Sequence, residues 1–189
     1  MSLIAGILLA AGESRRFGGR KLLHALPDGG TIGQRSAAAL AAAVDRAVAV
    51  LAPDDAALAG LMQAAGVEVC YCANAREGMG ASLACGVRAT ADADGWVVAL
   101  ADMPYVKPAT AAAVADALRA GAPLAAPVHA GRRGHPVGFA RAYYRDLIAL
   151  SGDEGARRIL RRDAARMLLL PVDDPGIHRD IDTPEDIPR

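Results

Sequence analysis

Short apolar runs alternate along the chain with longer alanine-rich segments, a rhythm that reads as strand–helix–strand. Leu3–Leu9, Ala47–Ala52, Val67–Cys72, Trp96–Ala101, Leu124–Val128 and Met167–Val172 are of strand length and bounded by turn residues. Between them, 31–43, 54–65, 80–91, 108–120, 141–150 and 154–163 read as helices. Asp54 is placed to cap one of these and Pro108 to open another with its preset φ. Strand–helix alternation predicts an α/β domain. The near-continuous apolarity of Trp96-Val97-Val98-Ala99-Leu100-Ala101 predicts a mostly parallel sheet covered on both faces. The expected fold is therefore a single-domain, three-layer α/β/α arrangement with a Rossmann-like sheet over residues 1–189. No repeat, low-complexity linker or charge block divides it. Glycine and proline mark loops at 12–19, 27–30, 78–80, 131–138 and 174–177. In such sheets ligands bind beyond the carboxyl ends of the strands, so the loops that follow strands are where chemistry is expected.

Composition narrows the partners. At 189 residues the chain buries a core without disulfides or structural metal. Twenty-one basic residues balance twenty-one acidic ones, which removes a bulk drive toward nucleic acid or an anionic membrane. No apolar run is long enough for a transmembrane helix. The apolar start lacks a basic leader and runs into Glu13 and arginines, so it reads as a buried strand rather than a signal peptide. Three cysteines, at 70, 72 and 85, suit a reducing cytoplasm. At most one of Cys70 and Cys72 is expected on a given side of their strand, which argues against zinc or redox chemistry. The seven aromatic residues are too few for a base-stacking platform. Only two lysines, Lys21 and Lys107, stand among nineteen arginines, so a lysine at position 21 is conspicuous.

The segment Leu9-Ala10-Ala11-Gly12-Glu13-Ser14-Arg15-Arg16-Phe17-Gly18-Gly19-Arg20-Lys21 follows the first strand. Small residues at 10–12 let backbone N–H groups approach a ligand, with Gly12 free to take positive φ, and such amides form an anion nest. Arg16 adds a fork of donors and Lys21 a point charge suited to phosphate. The spacing is neither a Walker nor a Rossmann glycine pattern, and a solvated basic turn is the plain alternative. The segment resembles the signature loop of MobA-like nucleotidyltransferases, Leu-x-Ala/Gly-Gly-x-Ser-x-Arg-Phe/Met-Gly-x-x-Lys, at eight positions over thirteen residues. That resemblance implies the fold of nucleotide-diphospho-sugar transferases. It also implies a nucleoside triphosphate held by Leu9, Ala10, Ala11, Gly12, Arg16 and Lys21.

Asp102 follows the Trp96–Ala101 strand in Asp102-Met103-Pro104, where Pro104 stiffens the turn. A lone Asp there is also an ordinary turn residue. Asp180 and Asp182 flank Ile181 and share a face of an extended segment, and Thr183-Pro184-Glu185-Asp186 reads as the start of a closing helix. Capping is therefore an alternative use for Asp182 and Thr183. The family's Asp-x-Pro and its Asp-Ile-Asp-Thr-Pro-Glu-Asp ending are both matched, which implies Mg²⁺ on Asp102 and Asp182.

Two further segments bear on substrate choice. Asn74, Gly78, Gly80 and Ser82 lie in a glycine turn that opens a helix, where main-chain groups could meet a base edge. Gly78-Met79-Gly80-x-Ser82-Leu83, with Ala11 in the first loop, resembles the cytidylyl rather than the guanylyl branch, which implies CTP. Arg132, Arg133 and His135 lie in Gly131-Arg132-Arg133-Gly134-His135-Pro136, where two guanidinium groups could take a phosphate. The match there to molybdenum cofactor cytidylyltransferases implies a phosphorylated pterin-type acceptor and a client molybdoenzyme as partner. Across residues 3–187 the resemblance implies transfer of CMP from CTP to the acceptor's terminal phosphate with release of pyrophosphate. Arg16, Lys21 and Asp102 would carry that catalysis. The alternatives are the same fold using GTP or another phosphorylated acceptor (a sugar, alcohol or lactate phosphate), or a non-catalytic cofactor-binding protein serving molybdoenzymes.

Overall fold

The computed structural model describes residues 2–12, 14–53 and 55–188. Eight strands form one sheet: β1 Ile4–Leu9, β2 Arg46–Leu51, β3 Glu68–Tyr71, β4 Gly95–Leu100, β5 Leu124–His129, β6 Arg132–Arg133, β7 Val137–Ala140 and β8 Met167–Pro171. The α-helices are α1 Ile32–Ala41, α2 Ala56–Ala64, α3 Met79–Ala89, α4 Pro108–Arg119, α5 Tyr144–Ile148 and α6 Arg157–Arg162. Across the sheet the order runs β3-β2-β1-β4-β7-β5, with β6 and β8 each paired to β5. β1, β2, β3 and β4 are mutually parallel, as is β8 with β5, whereas β7 and β6 run antiparallel to their neighbours.

All six strands expected from the apolar runs are present. β6 and β7 were not expected; they fall in the stretch read as the 131–138 loop and its exit. Arg132–Arg133 is too short and polar to announce a strand, and Val137-Gly138-Phe139-Ala140 directly follows a proline. What makes β7 a strand is its slot between β4 and β5. Gly138 fits that slot because a Cβ there would lie 2.8 Å from Val114 Cγ1 of α4.

Side-chain alternation divides the core into two layers. Ile4 and Leu8 of β1 join Leu40, Leu58, Met62 and Val114 in one cluster, beneath α1, α2 and α4. Ala5 and Ile7 join Leu83, Val87, Trp96, Phe139 and Leu147 in the other, beneath α3 and α5. Trp96 is fully buried, and its indole N–H is satisfied by the Thr90 hydroxyl at 2.9 Å. The expected cap at Asp54 lies outside the described residues. Asp55 caps α2 instead, its carboxylate accepting from Leu58 N at 3.2 Å.

The start of α4 is also tied to the end of the chain. Asp174, only 1% exposed, has one carboxylate oxygen accepting from Lys107 N at 2.9 Å and from the Thr110 hydroxyl at 2.6 Å. Its other oxygen accepts from Gly176 N at 3.0 Å. A buried carboxylate satisfied by three donors is a pin. It fixes where the last segment, 174–188, crosses the molecule.

Candidate active site

β1 and β4 are neighbours in register, Leu9 opposite Leu100, so the loops leaving their carboxyl ends start side by side. Ala101 N donates to Leu9 O at 3.1 Å and continues the ladder one step into those loops. The β1 loop then makes two short 3₁₀ turns, Arg15–Phe17 and Lys21–Leu23. The second turns the Lys21 side chain inward. Lys21 is 7% exposed, one of the few charged residues in the interior. Its Nζ donates to Asp102 Oδ2 at 2.9 Å and lies 3.7 Å from Asp182 Oδ1. Arg16 reaches the same aspartate from the solvent side, at 2.7 Å from Asp182 Oδ2.

Residues 81 and 161 positions downstream of Lys21 therefore converge on a single ammonium. Asp102 comes from the turn after β4. Asp182 is delivered by the terminal segment, where Ile181 is buried and its N–H donates to Asp102 O at 2.9 Å. Asp186 stiffens the same segment: its Oδ2 accepts from Asp182 N at 2.9 Å, Thr183 N at 2.8 Å and the Thr183 hydroxyl at 3.1 Å. These donors, the backbone N–H of Thr183 first, hold the Asp186 carboxyl below its usual range. The closing helix expected at 183–186 is a single 3₁₀ turn, Pro184–Asp186. Its capping carboxylate is that of Asp186, which leaves Asp182 free to face Lys21.

A cleft in two lobes opens along the β1 loop. One lobe, about 600 Å³, is bounded by Ala10–Gly12, Gly18–Leu23 and the start of α2. The other, about 710 Å³, lies between Leu9, Ala11, Gly12, Leu100 and Asp102 on one side and Ala75, Arg76, Gly78, Met79, Ser82 and Asp153 on the other. Ala11, Gly12, Ser14 and Ala52 belong to both. Either volume is in the range of small-ligand pockets. A Cβ on Gly12 would meet nothing within 4 Å, so the backbone there faces open space. Gly12 does not take the positive φ expected of it. Among the described residues of this loop, the left-handed positions are Ser14, at φ 52°, and Gly18, at φ 76°.

Leu9, Ala10, Ala11, Gly12, Lys21, Gly78, Ser82 and Asp102 are thus brought to the cleft, and Asp182 and Arg16 join it through their contacts with Lys21 and with each other. Other expected residues have different employment. Asn74 is tied within its own turn, its amide donating to Glu77 Oε2 at 3.0 Å and its oxygen accepting from Cys72 Sγ at 3.2 Å. Gly80 gives its N–H to Gly152 O at 2.7 Å, and a Cβ there would sit 2.6 Å from Ser151 O. Gly80 therefore lets the 151–153 loop close against α3 and does not itself present to a base. Arg132 and Arg133 are exposed on β6 and line neither lobe.

His135 lies beneath the cleft floor, against a small cavity bounded by Leu100, Met103 and Pro136. Its Nδ1 is buried without a partner. Burial depresses its pKa, opposed in part by the negative charge of Asp102. Arg76, Met79 and Asp153 also line the cleft, although none of them was singled out as a site residue. Met79 lies within the Gly78–Leu83 motif, and Arg76 has only its nearness to that turn as a signal.

The sequence pattern of the family described as "MobA-like NTP transferase domain" matches residues 6–168. The chain belongs to this family. Asp182 lies beyond the matched stretch, and its place in the site rests on the fold. The purine catabolism protein PucB of Bacillus subtilis is 34% identical, with 97% of this chain and 93% of that protein aligned. Rv0371c of Mycobacterium tuberculosis superposes with a TM-score of 0.84 at 30% identity, over 98% of this chain and 95% of that one. A manganese complex of Rv0371c superposes with a TM-score of 0.77 at 28% identity, over 98% and 96% of the two chains. The chain is a nucleotidyltransferase-family α/β domain, and among the described residues no helix is long and apolar enough to cross a membrane.

Proposed function

We propose that the protein transfers CMP from CTP to the terminal phosphate of a pterin-type molybdenum cofactor, releasing pyrophosphate. The observation that carries the reading is the convergence of Lys21, Asp102 and Asp182 at the carboxyl ends of β1 and β4, beside a cleft of nucleotide size. Phosphoryl chemistry needs positioning and charge neutralisation more than a covalent intermediate. The β1 loop offers backbone and Gly12 to the triphosphate. Arg16, exposed and held among the described residues by a surface ion pair worth little, can turn to an incoming phosphate. Lys21 lines the smaller lobe, and an ammonium has three donors, so it can serve Asp102 and a phosphate oxygen together.

Among the described residues, no group of three His, Cys, Asp or Glu side chains could hold a metal alone. Two hard carboxylates that meet at one cation do fit Mg²⁺, which is commonly bound through one or two carboxylates and substrate phosphates. When bound on Asp102 and Asp182, the ion would neutralise phosphate charge and orient the triphosphate. The manganese complex of Rv0371c supports a divalent cation here. The acceptor's phosphate oxygen attacks the α-phosphorus as the bond to pyrophosphate breaks. Arg132 and Arg133, exposed on β6 outside both lobes, are the proposed acceptor contacts. A client molybdoenzyme is the proposed recipient of the product, and the cytoplasm the proposed compartment.

Pyrophosphate release tests the reading, with purified protein and Mg²⁺ and with CTP or GTP supplied against molybdenum cofactor or a sugar, alcohol or lactate phosphate. Turnover with CTP and the pterin acceptor is expected. Turnover only with another pair reassigns the substrate, and nucleotide binding without pyrophosphate release under any pair leaves a cofactor-binding protein.

A further inference from the structure

All three cysteines of the chain meet at one place, between the edge strand β3 and α3. Cys70 lies on β3, Cys72 one step past its end, and Cys85 in the middle of α3. The sequence reading allowed at most one of the first two on a given side. Positions two apart on a strand share a face, and both look toward the helix. The Sγ atoms of Cys70 and Cys85 are 3.5 Å apart, and both residues are half-buried. Cys72 is fully buried and its Sγ donates to Asn74 Oδ1 at 3.2 Å. Burial, with Cys85 beside it, pushes the Cys72 thiol up to about 11. One thiol is thus locked in the protonated form beneath two that touch each other near the surface.

We propose that Cys70 and Cys85 are a reversible disulfide site whose closure staples both ends of the segment 71–84. Forming the bond brings the sulfurs from 3.5 Å to about 2.0 Å, a shift that side-chain rotation and a slight movement of a four-residue edge strand supply. The oxidant is a peroxide. One thiolate sulfur attacks a peroxide oxygen as the O–O bond breaks, giving a sulfenic acid and a hydroxide or alkoxide that takes up the proton the thiol had lost and leaves as water or an alcohol. The second thiol's sulfur then displaces the sulfenic hydroxyl, which leaves as water with that thiol's proton. Two thiols lose two electrons in all and one peroxide gains them. Burial raises the Cys85 thiol, so closure is slow and needs oxidant in excess, while Arg88 one turn further along α3 acts in the opposite direction.

The stapled segment carries Arg76, Gly78, Met79 and Ser82, one wall of the larger lobe of the cleft. Cross-linking its ends restricts that wall, so closure also changes nucleotide affinity. This consequence rests on the nucleotide reading of the cleft given above, whereas the bond itself does not.

Full-length protein treated with excess hydrogen peroxide under native conditions, then alkylated and mapped by peptide mass spectrometry, tests the bond. A Cys70–Cys85 cross-link lighter by two hydrogens is expected. Dithiothreitol should reverse it, and Cys72 should become alkylatable only on unfolding. Cys72→Ser should form the same link, while Cys70→Ser and Cys85→Ser should not. Oxidation of the cysteines singly to sulfinic or sulfonic acids, a link through Cys72, or a link between chains overturns the proposal. CTP titration of reduced and oxidised protein tests the consequence: an affinity change of at least about threefold is expected, absent in Cys70→Ser. Equal affinities would overturn the coupling. Failure of the reduced protein to bind CTP strikes the nucleotide reading alone, because the mapped cross-link still decides the bond.

Discussion

The backbone N–H of Ile181 donates to the carbonyl oxygen of Asp102 at 2.9 Å, so the residue before Asp182 is tied directly to the backbone of the other carboxylate residue of the site. The Ile181 side chain, 1% exposed, plugs into the core layer that holds Leu8, Ala10 and Leu22. Side-chain burial and backbone pairing together aim Asp182 at Lys21. Ile181→Ala should cost about 2–5 kcal/mol of stability, the usual range for such a truncation. It should also lower turnover at temperatures where the variant remains folded. Denaturant titration alongside pyrophosphate release checks this, and unchanged turnover in a destabilised variant would show that Ile181 does not position the aspartate.

Lys21→Arg keeps the charge and should still be damaging. The ammonium sits in a nearly closed slot within 2.9 Å of Asp102, and a planar five-donor fork is longer than that slot and differently shaped. A turnover loss on the order of 10²-fold is expected with the fold intact by circular dichroism, the scale seen when one charge-stabilising contact is lost. Wild-type activity in this variant would mean that Lys21 makes no contact with substrate.

Asp102→Asn removes the carboxylate but retains its shape. Turnover at limiting Mg²⁺ should fall on the order of 10²-fold or more. Part of the loss should return as Mg²⁺ is raised, because Asp182 remains. A variant whose Mg²⁺ dependence matches wild type would remove Asp102 from the metal assignment.

Base choice is expected to show as at least a tenfold preference for CTP over GTP, a difference of about 1.4 kcal/mol. Ala11 borders both lobes of the cleft, and a methyl group there leaves less room for a base than glycine would. Ala11→Gly should reduce the preference. This is a cleaner test than replacing 78–80, because Gly80 is committed to its contact with Ser151 and Gly152. Equal rates with both nucleotides in the unmodified protein would remove the cytidylyl assignment.

His135 predicts a pH effect on stability. Burial lowers its pKa in the folded chain from the ordinary 6.5. Below about pH 6.5 the unfolded chain therefore binds a proton that the folded chain refuses, and stability falls as the pH drops toward the folded value. Carboxylates held low by their partners, such as Asp45 and Asp186, lose stability at still lower pH and do so in both proteins. His135→Gln should consequently lose less stability than wild type between about pH 7 and about pH 5.5, measured by urea denaturation. Parallel loss in the two proteins would show that His135 titrates normally.

The residues by themselves determined most of the scaffold. Short, near-continuous apolar runs and alanine-rich segments are local patterns, and they located six strands and the helices between them. The β1 loop was likewise legible because its glycines, Arg16 and Lys21 lie within thirteen contiguous positions. Asp102 and Asp182 could be named as metal candidates, but their meeting could not be read locally. It depends on β1 and β4 being neighbours, on the buried pin at Asp174, and on Ile181 pairing with Asp102. The insertion of β7 between β4 and β5 was equally hidden, since what makes Val137–Ala140 a strand is the space left by its neighbours. Asn74 and Gly80 were read as facing a base because a glycine turn announces freedom without saying what occupies it. Asn74 is taken up by local partners, Glu77 and Cys72, whereas the tertiary structure commits Gly80 to the 151–153 loop. Pattern along a chain reports the backbone hydrogen bonds and the face each residue buries, whereas a site is made where distant segments are pressed together by a shared core.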